Sequence, residues 1–547
     1  MTSRRRDALV LLGILALAAA LRLPGLGLRG QWDADQGNEM LVLLHLVRDG
    51  QVPLLGPPTF AGSFHHGALY YGILAPAAFP GDADPGAVTL LIAVLGIATV
   101  GVLWALGREL GGAWAGHVTG VLAAVSPALV IGSTFIWNPN LVPLGAGLAL
   151  LGAIRAWRTR RAAWWLLAAL GTMIAMQVHV SGGILLPPLV IAFVADVRRD
   201  GGQGAGRPWA GIAVAACLVL AAGYLPLLAH ELGTGFTDTR GLLGYIGAGA
   251  GTTQDLGARI LVVTLRSIAW PFVGVITEAP MLAAAVGLGA LGLGATALRL
   301  AGRDDRPGLW LLAGVFGWSL PVLAVTAPTL MTSVPGLPND HYHTFLDPVV
   351  IALAGAGIAA LSRTGIGAAT RVGAATGVGA ATGVGAPSLD RARPGLAVAG
   401  RVAGAAALAA LVIVSVARWP AAASPDGGWP LADAAAGRVR ATLQTLATGP
   451  RLQTALVSIP EFKSADAIRF PLARRGVDVW VPGTPEFGAA DQLVLVCDPL
   501  FEDVVGQRCG GPAEGAWLGA EARPWRLVDR FEAGPRRVVS IYAIDEP

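Results

Sequence analysis

Long apolar stretches, each close to 20 residues, follow one another along most of this chain. A helix needs about 20 apolar residues to cross a bilayer, and inside lipid it satisfies its own backbone hydrogen bonds. Only 14% of the 547 residues are charged, against about 25% in a typical soluble domain. The sequence therefore predicts an α-helical polytopic membrane protein with about eleven transmembrane helices. The candidate spans lie near residues 8–24, 86–107, 113–132, 139–155, 162–178, 181–197, 209–229, 279–299, 308–328, 345–362 and 397–418.

The loops between these spans differ in their arginine content. If residues 258–277 lie along the membrane surface instead of crossing it, 19 arginines fall on one side and six on the other before the C-terminal region. Loops rich in Arg and Lys stay in the cytoplasm. We therefore expect a plasma-membrane protein with a cytoplasmic N-terminus and an extracytoplasmic C-terminal region. The basic residues are scattered and the net charge is only +4, which argues against nucleic acid as a partner.

Composition divides the chain into four parts. Residues 1–362 form the membrane core, with a first outer loop at 25–85. Residues 363–396 contain a repeat of small residues without large apolar side chains, which predicts a flexible cytoplasmic linker. The last transmembrane helix follows at 397–418, and residues 425–547 have the composition of a soluble domain.

The C-terminal region mixes helical and strand patterns, which predicts a small extracytoplasmic α/β domain. Its predicted helices are 430–449 and 464–476, and its predicted strands are 454–459, 477–481, 492–497 and 536–544. Cys497 and Cys509 both lie in this domain. An oxidising compartment favours a disulfide between them, and two free thiols are the alternative.

Two carboxylates, Asp33 and Asp35, stand directly after the first span, in "GQWDADQGNEM". In an extended segment residues i and i+2 point to the same side, so both could act on one ligand. Such a pair can take a proton from an incoming hydroxyl or help to hold a divalent cation. The alternative is an N-cap for a helix that begins near Asn38, with Glu39 in its first turn.

Other polar groups gather on the same predicted outer side. His341 and His343 alternate in "NDHYH", a spacing that can ligate a metal together with a carboxylate or donate hydrogen bonds to a phosphate. Arginine binds phosphate with two parallel hydrogen bonds, and the scarce outer-side arginines include Arg240, Arg259 and Arg266. Snorkelling from a helix at the membrane surface explains Arg259 and Arg266 equally well.

The stretch "DADQGNEMLVLLHLVRDGQVPLLGPPTFAGSFHHGALYYGILAP" (33–76) resembles the first outer loop of the GT-C membrane glycosyltransferases. Within them it is most similar to the protein O-mannosyltransferases, the lipid A aminoarabinose transferases and their bacterial relatives in glycosyltransferase family 39. "FIWNPNLVPL" (135–144), "QVHVSGGILLPP" (177–188) and "HYHTFLDP" (341–348) fit the same branch. The resemblance covers residues 8 to 362.

This resemblance implies a polyprenyl-phosphate sugar as donor and a hexosyl or pentosyl transfer on the outer face with inversion. The acceptor (a protein, lipid or polysaccharide) stays open. It also implies that a first-loop aspartate, Asp33 or Asp35, is the catalytic base; we favour Asp33, with Asp35 assisting it or binding metal. Arg266 or Arg240 would hold the donor phosphate, and a divalent metal ion would use Asp35, His341 and His343. The implied substrate-binding residues are His65, His66, Tyr70, Trp137, Asn138, His179, Arg240, Arg266, His341 and His343.

Two other classes of function compete with this one. A transporter or flippase of lipid-linked or small substrates would place ionisable residues deep within its spans, and here His117 is the main exception to nearly uncharged span interiors. A non-catalytic membrane assembly protein would tolerate Asp33→Asn.

Overall fold

The structure of the protein is a computed structural model. It describes residues 3–59, 64–200, 209–248, 254–331, 339–375, 393–420, 423–424, 426–446, 453–460, 465–498, 509–520, 523–535 and 537–544. The helices of the membrane part are α1 (Ser3–Arg22), α2 (Leu26–Arg29), α3 (Ala34–Asp49), α4 (Leu69–Ala78), α5 (Pro85–Val125), α6 (Pro127–Ile131), α7 (Val142–Thr159), α8 (Trp164–Val178), α9 (Leu186–Asp200), α10 (Trp209–Gly223), α11 (Leu225–Thr234), α12 (Thr237–Ala248), α13 (Leu256–Val273), α14 (Pro280–Leu300), α15 (Arg306–Thr326), α16 (Asp347–Ala375) and α17 (Arg393–Ala417). Short 3-10 helices at Asn138–Leu141, Val180–Leu185 and Asn339–Leu346 precede α7, α9 and α16.

Within the described residues, eight helical segments are long and apolar enough to cross a membrane, or nine if the bent pair α10 and α11 is one span. The predicted eleven spans and this number differ at four helices. Helix α1 begins with three arginines and an aspartate, α8 has only 15 residues, and α5 contains two predicted spans, while α13, which is not among the eleven, is counted. Each predicted span nevertheless coincides with a helix.

Helix α5 reverses direction at Gly111 and Gly112. Gly112 has φ 75°, a left-handed conformation that favours glycine. The two halves of α5 then pack closely against each other. A Cβ added at Gly107 in the first half would lie only 2.3 Å from Thr119 Oγ1 in the second. The two predicted spans are therefore joined by a turn without a loop.

Helix α13 lies along one end of the helical bundle. We call this end the domain side, since α17 ends there and the C-terminal domain follows. Pro271 O accepts a hydrogen bond of 2.6 Å from Ser126 Oγ, just after α5, and Val273 O accepts one of 3.0 Å from Arg418, just after α17. Earlier in α13, Arg266 donates to Leu330 O, past the end of α15. Helix α13 is apolar enough to cross a membrane, but these contacts of Arg266, Pro271 and Val273 all lie on the domain side.

The described residues of the C-terminal domain form one sheet of four strands and three α-helices. Its elements are α18 (Gly428–Leu446), β1 (Thr454–Ile459), α19 (Asp466–Arg474), β2 (Gln492–Cys497), α20 (Pro512–Ala520), β3 (Trp525–Gly534) and β4 (Arg537–Ile544). The strand order is β1-β2-β4-β3, with β1 and β2 parallel and the other pairs antiparallel. Every residue of β2 is buried, which explains its unbroken apolar sequence. Cys497 and Cys509 form a disulfide.

Three details of this part differ from the sequence-based expectations. Residues 477–481 do not form a strand; only Trp480 pairs, as an isolated bridge with Ala455. Strand β3 was not predicted, because this edge strand is charged and mostly exposed or half-buried. Helix α16 continues to Ala375, into the predicted linker, since alanine-rich sequence supports helix. The rest of that linker up to α17 lies outside the described residues.

Candidate functional site

A cavity of about 1610 Å³ opens on the domain side of the bundle. Its wall is formed by the start of α3, the loop before α4, the segments on both sides of α6, the 3-10 helices before α7, α9 and α16, and the ends of α13, α15 and α17. The C-terminal domain contributes Asp466. Typical small-molecule sites measure about 300–1,000 Å³, so this cavity has room for two substrates at once.

Asp33 caps the N-terminus of α3. Its carboxylate accepts the Ala34 N–H at 2.8 Å, and its own N–H donates to Gln36 Oε1 at 2.9 Å, which completes a capping box. The helix therefore begins at Ala34, four residues earlier than the predicted start near Asn38. The expected extended segment is wrong, so the argument that Asp33 and Asp35 point to the same side no longer holds.

Asp35 lies in the first turn of α3, where its exposed side chain lines the cavity. Glu39 follows one turn later on the same helix face and also lines the cavity, but it is buried. The Tyr70 hydroxyl donates a hydrogen bond to Glu39. The carboxylates presented together are therefore Asp35 and Glu39. The Asp33-x-x-Gln36 capping pattern was the sequence signal for this arrangement.

The surroundings raise the pKa of both carboxyl groups. For Asp35 the main cause is desolvation within the cavity; a hydrogen bond from the Trp137 side chain opposes it, and the negative charge of Asp466 adds to the rise. Burial raises the pKa of Glu39 well above its usual range, against hydrogen bonds from Tyr70 and the Asn138 backbone. A carboxyl group that holds protons more tightly than usual is a stronger base once it is ionised.

Three histidine rings form a stack on another part of the wall. The rings of His66 and His179 are 4.6 Å apart, and those of His179 and His341 are 5.5 Å apart. His341 also contacts Trp137, at 4.8 Å between ring centroids. Burial lowers the pKa of His66 to about 3 and that of His179 well below its usual range. Both rings are therefore neutral at pH 7.

Hydrogen bonds indicate the tautomers of the two buried rings. His66 Nδ1 accepts the Val180 N–H at 3.3 Å, and His179 Nδ1 accepts the Ser181 N–H at 3.2 Å. A neutral imidazole that accepts at Nδ1 carries its proton on Nε2. Both rings thus keep an Nε2–H donor.

Three other predicted substrate-binding residues, His65, Tyr70 and Asn138, hold segments of the cavity wall in place. The His65 backbone N–H and ring Nδ1 both contact the Asp238 carboxylate at 2.8 Å, which ties the loop before α4 to α12. Tyr70 is fully buried against Glu39. Asn138 lines the cavity, while its amide donates to Val178 O at 2.6 Å and so holds two wall segments together.

The expected phosphate-binding roles of Arg266 and His343 do not fit the structure. Arg266 is 3% exposed, and its Nε and Nη2 donate to the two oxygens of Asp340 at 2.9 and 2.8 Å. His343 is fully buried with Nε2 at 2.8 Å from Asp340. The three side chains form an internal network, in which His343 Nδ1 is buried without a hydrogen-bond partner among the described residues. Arg240, on α12, is exposed and donates to Gly235 O just before that helix.

The predicted metal site of Asp35, His341 and His343 is also not assembled. Among the described residues, no group of three or more His, Cys, Asp or Glu side chains is arranged to hold a metal ion. The physical reason is local. Asn339–Leu346 is a 3-10 helix with three residues per turn, so His341 and His343 point in different directions. These residues do not fit a divalent cation.

The charged residues of the cavity wall that sequence reasoning missed include Arg29, Arg418 and Asp466. Arg29 donates to Leu21 O at 2.8 Å, and its Nη2 has no hydrogen-bond partner in the described part of the chain. Arg418 donates to Val273 O and forms an ion pair with Glu278. Arg418 and Asp466 come from beyond residue 400, and no local pattern links them to the first loop.

Comparisons with known proteins bear on the fold of the chain. Residues 80–225 match the family model described as dolichyl-phosphate-mannose-protein mannosyltransferase. No curated protein sequence matches the chain. The structure is similar to ArnT from Cupriavidus metallidurans in the apo state, with a TM-score of 0.58 and 13% identity over 97% of both chains.

Two further structures share the fold. One is ArnT from Cupriavidus metallidurans bound to undecaprenyl phosphate, with a TM-score of 0.59 and 13% identity over 99% of this chain and 98% of that one. The other is the oligosaccharyltransferase AglB from Archaeoglobus fulgidus in complex with an inhibitory peptide and a dolichol-phosphate, with a TM-score of 0.50 and 13% identity over 91% of this chain and 70% of that one. The chain therefore has the GT-C fold of these membrane glycosyltransferases.

Proposed function

We propose that the protein is a membrane glycosyltransferase that moves a sugar from a polyprenyl-phosphate donor to an acceptor hydroxyl on the domain side of the membrane. In this proposal Asp35 is the general base and the transfer inverts the anomeric carbon. The observation that carries it is the exposed Asp35 carboxylate on the wall of a large, mostly apolar cavity at the end of a helical bundle. The polyprenyl phosphates bound by ArnT and AglB support the donor class.

Asp35 is better suited to act as the base than Asp33. The Asp33 carboxylate is occupied by the α3 N-terminus and lies 3.6 Å from the Arg537 guanidinium. An adjacent cation and hydrogen bonds to the ionised form make a carboxylate a weaker base. Asp35 combines a raised pKa with access to the cavity. Glu39, which is buried against Tyr70, provides a second carboxyl group one turn further along α3.

Arg29 and Arg418 are the arginines on the cavity wall, and we assign the donor phosphate to them. Partial burial lowers the pKa of Arg29, and a cation that has lost part of its water binds an arriving anion more strongly. The partner of Arg418, Glu278, is 60% exposed at its side chain. That ion pair is weak enough to yield to a phosphate.

The histidine stack is assigned to the sugar hydroxyls. His66 and His179 are neutral Nε2–H donors on the wall, and Trp137 and His341 offer aromatic faces beside them. Neutral donors next to aromatic rings suit a polyhydroxylated ligand, which brings hydroxyl acceptors and C–H faces but no charge.

The reaction follows from these positions. Asp35 accepts the proton of the acceptor hydroxyl while the hydroxyl oxygen forms a bond to the anomeric carbon from the side opposite the phosphate. The bond between that carbon and the phosphate oxygen breaks, and its electron pair stays with the phosphate. The polyprenyl phosphate leaves as a phosphomonoester with one more negative charge, which Arg29 and Arg418 stabilise.

The direct test measures membrane lipids after deletion of the gene. We expect a polyprenyl-phosphate sugar to accumulate, and we expect wild-type protein to clear it. The variant Asp35→Asn, expressed at the wild-type level, should fail to clear it, because an amide cannot accept the proton. The mass of the lipid then gives the sugar class.

The matched control is Asp433→Asn, which removes a half-buried carboxylate of the C-terminal domain that pairs with Arg475. It should clear the lipid as wild type does. If Asp35→Asn also restores a measurable defect fully, Asp35 is not the base and this mechanism is wrong.

A further inference from the structure

Trp32 directly precedes Asp33, the N-cap of α3. Its hydrogen bonds in the described part of the chain are made with the C-terminal domain. The ring is 2% exposed and packs against Trp429 and Phe470, with ring centroids 4.6 and 5.7 Å away. The indole N–H donates to Ala467 O at 2.9 Å, and the backbone N–H donates to the Asp426 carboxylate at 2.7 Å. Trp32, which is next to Asp33 in the sequence, is therefore enclosed by residues of the C-terminal domain.

Arg537, the first residue of β4, completes this contact. It is 2% exposed, and its Nη2 donates to Trp32 O at 3.1 Å. The same nitrogen lies 3.6 Å from Asp33 Oδ1 and 3.7 Å from Asp498 Oδ2. A buried arginine between two carboxylates cannot be removed without leaving buried negative charge.

Helix α3 also touches α19 without space between them. A Cβ added at Gly37 would lie 2.1 Å from Asp466 O and 2.2 Å from the carbonyl carbon. Both atoms belong to the backbone, so a side-chain rotation cannot make room for a larger residue at position 37. Asp466 itself reaches the cavity wall.

We propose that the C-terminal domain is a positioning element for the catalytic helix, in which Arg537 and Asp33 fix the start of α3 and thereby the place of Asp35. That α3 is catalytic rests on the proposed function. That the C-terminal domain positions α3 does not depend on it. Asp33 is then a positioning residue. It transmits the contact with Arg537 through the cap to the first turn, where Asp35 lies.

The first readout is hydrogen–deuterium exchange of residues 34–49 in the purified full-length protein. It requires no assumption about the reaction. Arg537→Gln and Gly37→Ala should both speed exchange of the α3 amides, while the exchange of α7 and α8 stays unchanged. Arg537→Lys, which keeps the charge, should restore most of the protection if Arg537→Gln proves unstable.

The control variant is Arg438→Gln. Arg438 pairs with Asp529 on the exposed face of the same domain, so its loss should leave α3 unaffected. If α3 exchanges as slowly in Arg537→Gln and Gly37→Ala as in wild type, the positioning role is overturned, whatever the enzyme activity.

The second readout is turnover, with the lipid extract of the deletion strain as donor. Arg537→Gln and Asp33→Asn should each lower kcat per folded molecule on the order of 10- to 100-fold with the donor KM nearly unchanged, as expected for a displaced catalytic group. The two effects should not multiply in the double variant. Asp35→Asn should be inactive.

The two proposals fail in different ways. If Asp33→Asn is as inactive as Asp35→Asn while Arg537→Gln keeps wild-type kcat, Asp33 acts chemically and the positioning role is wrong. If wild type shows no turnover but α3 still loosens in Arg537→Gln, the proposed function fails and the positioning role stands.

Discussion

At the scale of single residues, the chemistry of the cavity depends on a few charged side chains on its wall. Asp35 faces the cavity from α3, and Asp466 faces it from the C-terminal domain. The nearby negative charge of Asp466 makes ionisation of Asp35 harder. A base must be ionised to act, so activity should fall when the pH drops through the raised pKa of Asp35.

The variant Asp466→Asn tests this electrostatic link. Removing the negative charge lowers the pKa of Asp35, so the acidic limb of the kcat profile should move to lower pH. The measurement is turnover against pH for wild type and variant in the same lipid. A limb that stays in place would mean that Asp466 does not influence the catalytic group.

Arg418 allows a second test at this scale. Arg418→Gln removes a cation from the proposed phosphate site and should lower kcat/KM for the lipid donor on the order of 100-fold. Arg240→Gln, which alters an exposed arginine away from the cavity wall, is the matched control. If Arg240→Gln causes the loss and Arg418→Gln does not, the phosphate binds beside α12 instead.

The sequence predicted the region of the site better than the role of each residue. The prediction that the first loop meets the histidines of later loops agrees with the cavity wall, which includes Asp35, His66, His179 and His341. The predicted geometry of the two i, i+2 pairs was wrong, because Asp33 begins an α-helix and His343 lies in a 3-10 helix. Side-chain direction depends on backbone conformation, which a two-residue spacing alone does not give.

At the scale of helices, close packing through glycine holds the wall of the cavity in place. Helices α7 and α8 approach each other at Gly145 and Gly171: a Cβ added at Gly171 would lie 2.3 Å from Ala149 N and 2.6 Å from Gly145 O. Small residues permit such contacts between membrane helices. Asn138 and His179 stand at the ends of this pair.

Gly171→Ala should therefore destabilise the protein clearly. The added methyl meets backbone atoms that cannot move aside, and overpacking of this kind costs about 1–3 kcal/mol. The measurement is the midpoint of thermal unfolding in detergent, followed by size-exclusion chromatography. Gly289→Ala on α14, where nothing lies within 4 Å, serves as the control and should leave the midpoint unchanged or slightly higher. Equal midpoints for both variants would contradict the tight α7–α8 contact.

Helix positions followed from the sequence because hydropathy is a local property. The ends of most predicted spans agree with the helices within a few residues. Strand β3 was missed for the opposite reason: its pairing with β4 is what makes it a strand, and its exposed charged residues carry no apolar pattern. The contact of α3 with α19 joins residues more than 400 positions apart, and a single sequence contains no signal for it.

At the scale of the whole molecule, the C-terminal domain and the cavity lie at the same end of the bundle. The arginine distribution predicts that this end is extracytoplasmic. Alkaline phosphatase fused after residue 547 should therefore be active, and the same enzyme fused near residue 203, between α9 and α10, should be inactive. The reverse pattern would place the cavity in the cytoplasm and would exclude transfer on the outer face.

The buried histidines should make the stability of the whole fold depend on pH. An unfolded histidine titrates near pH 6.5, whereas burial lowers the pKa of folded His66 to about 3. As the pH falls below 6.5, His66 binds a proton in the unfolded chain but stays neutral in the folded protein. The free energy of unfolding therefore falls. The loss is about 1.4 kcal/mol per pH unit for each such histidine.

His179, which has a similarly lowered pKa, adds to this effect. We expect the thermal midpoint of wild type in detergent to decline between pH 6.5 and 4.5, and to decline less steeply in His66→Gln, because glutamine has no proton to gain. His45→Gln, which alters an exposed histidine beside Asp49, should keep the wild-type slope. A wild-type slope in His66→Gln would show that carboxylates, and not the histidine stack, govern the acid sensitivity of the fold.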